Sequence, residues 1–359
     1  MKIIYDNIIF SIQKSGGISV VWYELIKRLL NEKSVVTEFI EYSNCNDNIF
    51  RKKLDIASIN KKIRKQNNFK RYFDPKVTEE NDFIFHSSYY RISKNKRAIN
   101  ITTVHDFTYE LYRKGIRKWI HSYQKFRAIK HSDYIICVSE NTKKDLLSFL
   151  PDINPNKVYV IHNGVSENYF PLSNPYIFEF KNIRPYEYVI FIGLRDDYKR
   201  FDFAVNLSHR LNKRLVIVGG GDLNKSELAF LDSNIKTYLH FSRPSDSELN
   251  TLYNFAYCLI YPSEYEGFGI PIIEAQRAGC PVIAYNCGAI KEVAGNNPLL
   301  FDTFDPETIA QKTENYLSDA TKREKIVSDG IENAAKYSWD YTYSETLELY
   351  KSAMSAKKH

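Results

Sequence analysis

Short β-branched runs alternate with segments of helical periodicity, and this alternation passes through the chain twice. The first series occupies residues 2–5, 35–41, 82–86, 100–105, 133–139 and 157–162. It predicts a parallel sheet covered by helices. After Asn163-Gly164 the pattern restarts at 188–193, 214–219, 235–241, 257–261 and 281–285, which predicts a second parallel sheet. A chain of 359 residues suits two domains of ordinary size. Pro171, Asn174-Pro175 and Pro185 place the boundary in 164–185, giving domains 1–168 and 169–359. A last helical segment, 344–356, has either lobe open to it. A helix over 18–30 follows Ser15-Gly16-Gly17, and 45–76 reads as a polar, basic insertion.

With 43% hydrophobic and 26% charged residues, the chain can bury a substantial core, and disorder is not expected. No apolar stretch approaches the roughly 20 residues that cross a bilayer, and the opening MKIIYDNIIF lacks the pattern of a secretory leader. A cytosolic location is the expectation. The five cysteines, Cys45, Cys137, Cys258, Cys280 and Cys287, are scattered without a C-x-x-C pair, so reduced, mostly packing thiols are expected rather than zinc ligands or disulfides. Charge is uneven. Residues 1–170 carry 29 Lys and Arg against 18 Asp and Glu, and 171–359 carry 21 against 25. The excess in the first half points to an anionic partner, such as a phospholipid surface, a lipid-linked phosphate or nucleic acid, or else to a solvated basic surface.

The segment with the most chemistry runs from Tyr261 through Pro-Ser-Glu-Tyr-Glu-Gly-Phe-Gly-Ile-Pro to Ala284. A strand ends at Tyr261, a glycine-containing loop follows, Pro271 suits a first helical turn, and Gly279-Cys280-Pro281 stops the helix. Such a loop lies at the carboxyl edge of a parallel sheet, where open α/β folds bind ligands. The amides of Phe268, Gly269 and Ile270 fall at the helix start, whose dipole and N–H groups favour phosphate. Glu266 in the loop and Glu274 on the helix are placed to accept hydrogen bonds from hydroxyls. Taken alone, the two glutamates also read as a loop charge and a helix N-terminal charge.

Glu266 and Glu274 stand in an E-x7-E arrangement, and the whole segment resembles the donor site of the retaining glycosyltransferases of family 4 (glycosyl transferases group 1). The fold implied is GT-B, two Rossmann-like α/β domains whose parallel sheets face each other across a cleft. The resemblance implies that Glu274 holds the ribose and that Glu266 contacts the transferred sugar with the Phe268 and Gly269 amides. Gly267 and Ile270 complete that loop. Arg195 and Lys199, in Phe191-Ile-Gly-Leu-Arg-Asp-Asp-Tyr-Lys-Arg-Phe201, are implied to bind the diphosphate; four residues apart, they converge on one anion if the segment is helical. Gly16 and Gly17 match the family's Gly-Gly loop facing the donor phosphates. His105, in Thr-Val-His-Asp, matches the histidine that reaches the donor sugar. His86 is a weaker candidate on the acceptor side and reads first as structural.

Residues 111–130 hold seven basic residues and no acid, with Tyr112, Trp119, Ile120, Tyr123 and Phe126 interleaved. That composition suits a helix at an anionic membrane interface, and equally an amphipathic helix with a basic outer face. No RNA-binding motif is present, so nucleic acid is not expected as a partner. The Gly219-x-Gly221 turn has Asn224 in place of a third glycine, so it is no dinucleotide fingerprint.

The expected function is transfer of a sugar, with retention, from a nucleoside diphosphate sugar to a hydroxyl acceptor. The opening residues and the Gly-x-Arg-x-x-Tyr-Lys pattern resemble bacterial polysaccharide mannosyltransferases, so GDP-mannose is the first choice of donor and UDP-sugars the next. The implied acceptor is a surface glycan, such as one of lipopolysaccharide, on a lipid carrier. No cofactor or obligatory metal is expected, and no Asp-x-Asp motif is seen. Two departures from the family pattern are Phe241-Ser-Arg-Pro244 after the third strand of the second lobe, which leaves the base unread, and Ser166 where Asp is common. A sugar-nucleotide epimerase of related architecture and a non-catalytic sugar-nucleotide or glycan-binding protein are the alternatives.

Overall fold

The structure is a computed structural model, and it describes residues 1–56, 61–64, 70–173 and 183–357. Contacts divide the chain into two units, Met1–Gly164 with Trp339–His359, and Val165–Ser338.

The first unit holds seven strands: β1 (Lys2–Asp6), β2 (Val36–Tyr42), β3 (Lys61–Arg64), β4 (Phe83–Ser87), β5 (Ala98–Val104), β6 (Tyr134–Cys137) and β7 (Val158–Val160). They pair in the order β3-β2-β1-β4-β5-β6-β7, every pairing parallel. The central strands are buried along their length, as a sheet covered on both faces requires. Sequence periodicity finds the six apolar strands but not β3. Lys-Lys-Ile-Arg is a short, charged edge strand, which gives no apolar alternation to read. Parts of the 45–76 segment, 57–60 and 65–69, lie outside the described residues.

The second unit repeats the architecture with β8 (Tyr188–Ile192), β9 (Arg214–Val218), β10 (Tyr238–Phe241), β11 (Cys258–Tyr261), β12 (Val282–Tyr285) and β13 (Leu300–Phe301). Their order is β10-β9-β8-β11-β12-β13, again all parallel. Both sheets therefore reverse direction beside their first strand, between β1 and β4 and between β8 and β11. These are the topological switch points where doubly wound folds bind ligands. Val189, Phe191, Leu215, Ile217, Cys258, Ile260 and Ile283 fill the second core with side chains of the covering helices.

The closing helix Trp339–Lys357 belongs to the first unit. It buries Trp339, Leu347, Leu349, Tyr350 and Ala353. The Tyr350 hydroxyl is shared with Tyr5 at 2.8 Å and His86 Nδ1 at 2.5 Å, and Thr342 donates to the His162 carbonyl at 2.7 Å. No described helix is long and apolar enough to cross a membrane.

Candidate functional site

At the second switch point the loop after β8 runs from Gly193 to Arg200. Gly193 has φ +123°, a region that glycine enters without strain. A turn over Asp197–Lys199 follows, closed by Lys199 N–H donating to the Asp196 carbonyl at 2.9 Å. The loop after β11 is latched to it. Glu264 N–H donates to the Tyr198 carbonyl at 2.8 Å, and Arg200 pairs with Glu264 at 3.0 Å. The latch brings the Lys199 ammonium to 2.5 Å from the Glu266 carboxylate. The same ammonium lies 5.7 Å from the centre of the Tyr261 ring. Burial, and then the Glu266 charge, push the Tyr261 phenol well above its ordinary pKa, and its hydroxyl donates to Glu266.

Past Glu266 and Gly267 the chain enters the helix Ile270–Arg277. Gly269 precedes it with φ +98°, and no side chain caps the N-terminus. Its amide end and dipole thus favour an anion beside the Lys199–Glu266 pair. The Phe268 ring is buried edge-on against Tyr337, with centroids 5.6 Å apart, and fixes the loop. Glu274, on the second turn, accepts from the Tyr253 hydroxyl at 3.2 Å and from Tyr169. Burial raises its pKa to about 7, against the lowering by those two hydrogen bonds. Glu266 and Glu274 are therefore held on one loop-helix element with different environments, one salt-bridged and one desolvated.

Arg195 is placed otherwise than helical spacing predicts. The residues between it and Lys199 form an extended step and a single turn, so the two cations take different partners. Arg195 pairs with Glu227 at 2.7 Å and donates to the carbonyls of Gly219, Gly220 and Asp222 at 3.0–3.1 Å. Gly220 is required there. Its φ is +74°, and a Cβ would fall 2.6 Å from the Gly193 carbonyl oxygen and 2.2 Å from an Arg195 nitrogen. The Asn224–Glu227 capping box that holds Glu227 is visible in the sequence, but its contact with Arg195 is not. Arg200, Tyr261, Tyr253 and Tyr169 were likewise missed, because nothing in their spacing links them to the glutamates.

In the first unit Gly16 and Gly17 begin the helix Gly17–Leu29, after the loop that follows β1. Asn48 pins that loop, donating to the Gln13 carbonyl at 2.8 Å and to Ser19 Oγ at 3.0 Å. His105 follows the carboxyl end of β5. Burial lowers its pKa to about 4, and among the described residues its ring makes no hydrogen bond. His86 differs: Tyr350 takes one ring nitrogen and Thr103 Oγ1 the other, at 2.9 Å. It is a buried structural histidine. The five cysteines are free thiols, and no group of residues suited to a metal occurs among the described residues.

Residues 175–333 match the family described as glycosyl transferases group 1, and residues 15–169 match glycosyltransferase family 4. A chain from Methanocaldococcus jannaschii, called an uncharacterized glycosyltransferase, is 30% identical over 66% of this chain and 64% of its own length. The O-antigen chain mannosyltransferase B of Escherichia coli is 37% identical over 30% of this chain and 28% of its own. The chain thus spans less than two thirds of the length of these two relatives. The crystal structure of HepE from Anabaena in complex with UDP-glucose superimposes with a TM-score of 0.74 at 14% identity, over 98% of this chain and 100% of that one. At that identity the likeness is one of fold.

Proposed function

We propose that the chain, whose residues 175–333 match glycosyl transferases group 1 and residues 15–169 glycosyltransferase family 4, is a retaining hexosyltransferase acting on a nucleoside diphosphate sugar. The observation that carries the reading is the Lys199–Glu266 pair at a switch point, beside the uncapped N-terminus of the helix Ile270–Arg277. A diphosphate seated there meets the helix dipole and the Lys199 ammonium. When Lys199 takes a phosphate oxygen, Glu266 is released to accept from a hydroxyl of the transferred sugar. Gly267, Phe268, Gly269 and Ile270 shape the loop around that sugar, and Glu274 accepts from the ribose. Arg195 adds charge to the diphosphate by exchanging its Glu227 contact, and Gly16 and Gly17 let backbone approach the phosphates. His105, neutral at pH 7, serves as a hydrogen-bonding group to the sugar rather than as a charge.

The reaction is a same-face substitution. The bond from the anomeric carbon to the diphosphate oxygen breaks as the acceptor oxygen bonds to that carbon, and the acceptor proton passes to the departing oxygen. Lys199, Arg195 and the helix amides stabilise the leaving charge, so no glycosidase-type acid and base pair is required. GDP-mannose is the favoured donor, supported by the stretch shared with the O-antigen mannosyltransferase, and UDP-sugars come next. The acceptor is a surface glycan on a lipid carrier, met by a cytosolic enzyme at a membrane.

The test is release of nucleoside diphosphate from a panel of GDP- and UDP-sugars, with and without lipid-linked glycans, beside Glu266→Ala. Acceptor-stimulated release from one donor, lost in the variant, is the expected result. Interconversion of intact donor without acceptor would identify an epimerase, and donor binding without turnover a binding protein.

A further inference from the structure

The helix Ile116–Lys130 is inside out for a helix on a water-facing surface. Its buried residues are Ser122, Gln124, Lys125, Ala128 and Ile129. Its exposed ones include Ile116 at 74%, Trp119 at 74%, Ile120 at 43% and Tyr123 at 71% of full exposure. At 3.6 residues per turn those four side chains fall in a stripe about 100° wide, and Lys125 lies on the opposite side. The exposed Leu111 and Tyr112 lead into the stripe, across a break at Gly115 with φ +79°. The ordinary amphipathic arrangement, apolar face inward and basic face outward, is thereby excluded.

Lys125 is neutralised inside. Its ammonium pairs with Glu110 at 2.6 Å, accepts no water-facing role, and lies 4.5 Å from the Phe107 ring centre. The exposed Lys114, Arg117 and Lys130 lie beside the apolar stripe, and 111–130 contains no acidic residue. An apolar stripe alone fits a protein partner or a bilayer. A stripe of tryptophan, tyrosine and isoleucine with Lys114, Arg117 and Lys130 beside it matches the acyl boundary and headgroup layer of an anionic membrane.

We propose that this face docks the protein on an anionic phospholipid bilayer, with Trp119 and Tyr123 inserted at the headgroup level. The inference stands on the geometry of the helix and does not require the transferase reading. Trp119 also supplies the probe, because the other two tryptophans, Trp22 and Trp339, are buried at 2% and 3% exposure. The whole protein is mixed with vesicles of phosphatidylglycerol and phosphatidylcholine, or of phosphatidylcholine alone, and followed by flotation and tryptophan emission. Flotation with the anionic vesicles alone, with a blue shift, is expected. Trp119→Phe keeps flotation and abolishes the shift. Trp119→Ser with Tyr123→Ser, and separately Lys114→Glu with Arg117→Glu, each lower partitioning by about tenfold or more, with near-ultraviolet circular dichroism showing an intact fold. Equal flotation on both vesicle types, or flotation on neither, overturns the proposal. Loss of a dimer in the serine variant, seen by sedimentation without vesicle binding, assigns the face to a second copy of the chain instead.

Discussion

Lys199 and Glu266 are paired with each other, and under the proposed function that pairing sets how each should respond to substitution. Removing the carboxylate leaves the ammonium without its partner but does not remove the helix N-terminus beside it. We expect Glu266→Gln and Lys199→Ala each to lower kcat about a hundred- to thousandfold, the range for one lost electrostatic contact to a developing charge. A double-mutant cycle on kcat/KM should show strong coupling, because the two groups act on adjacent parts of one donor. Additive losses would separate them. Glu274 makes a pH prediction. Its folded pKa of about 7 lies above the ordinary carboxylate range. Between the ordinary value and 7 the unfolded chain has lost a proton that the folded chain keeps, so this group's contribution to stability falls as pH rises through that window. Glu274→Gln should therefore be more stable than the parent by about 1–3 kcal/mol at pH 8, with little difference at pH 4. Thermal unfolding at the two pH values reads this directly. The parent's donor KM should meanwhile improve as pH rises through 7 and the carboxylate becomes the stronger acceptor.

The switch-point loops owe their shape to backbone latches more than to side chains. The Glu264–Tyr198 hydrogen bond and the Arg200–Glu264 ion pair fix where Lys199 meets Glu266. The glycine turn after β9 is the most constrained of these elements, since Gly220 combines a left-handed φ with a backbone oxygen 2.6 Å from any added Cβ. Gly220→Ala should cost about 2–4 kcal/mol, as φ strain and a displaced Arg195 act together. Gly17→Ala, where nothing lies within 4 Å of an added Cβ, should cost little stability. Chemical denaturation of the two variants compares them. At this scale the sequence was partly legible. The strand ends, Pro271 and the Gly279 stop located the helix Ile270–Arg277 and its loop, because those signals are local. The Arg195–Lys199 spacing misled, because helical periodicity presupposes a helix and Arg200 instead adopts φ +49° and ψ +48° after one turn.

For the whole molecule, the return of the helix Trp339–Lys357 to the first sheet is the main long-range commitment. Trp339, Leu347, Leu349 and Tyr350 are large buried side chains, each contributing about 1.5–3 kcal/mol by its burial. Ending the chain at Ser338 should therefore remove stability comparable to that of a whole domain and leave the first unit susceptible to proteolysis. Limited proteolysis and circular dichroism would show it, and a truncated chain with unchanged melting would refute it. A milder variant isolates the polar part. Tyr350→Phe leaves the Tyr5 hydroxyl and a ring nitrogen of buried His86 without their partner, at a cost of about 1–3 kcal/mol in denaturant unfolding.

The amino-acid sequence determined most of the two parallel sheets, because strands buried on both faces must be continuous apolar runs, and the loop before the helix Ile270–Arg277, because its glycines, proline and glutamates lie within a few residues of each other. It left the edge strands β3, which is charged, and β13, which is two residues long, and the side on which the last helix packs undetermined, since none of these leaves a local pattern. Only the tertiary structure decided which cation meets Glu266, that Glu274 is buried and accepts from Tyr253 and Tyr169, and that the helix Ile116–Lys130 turns its aromatic side to the solvent. Each of these depends on residues distant in the chain, and burial and charge pairing take their values from neighbours that spacing along the sequence does not name.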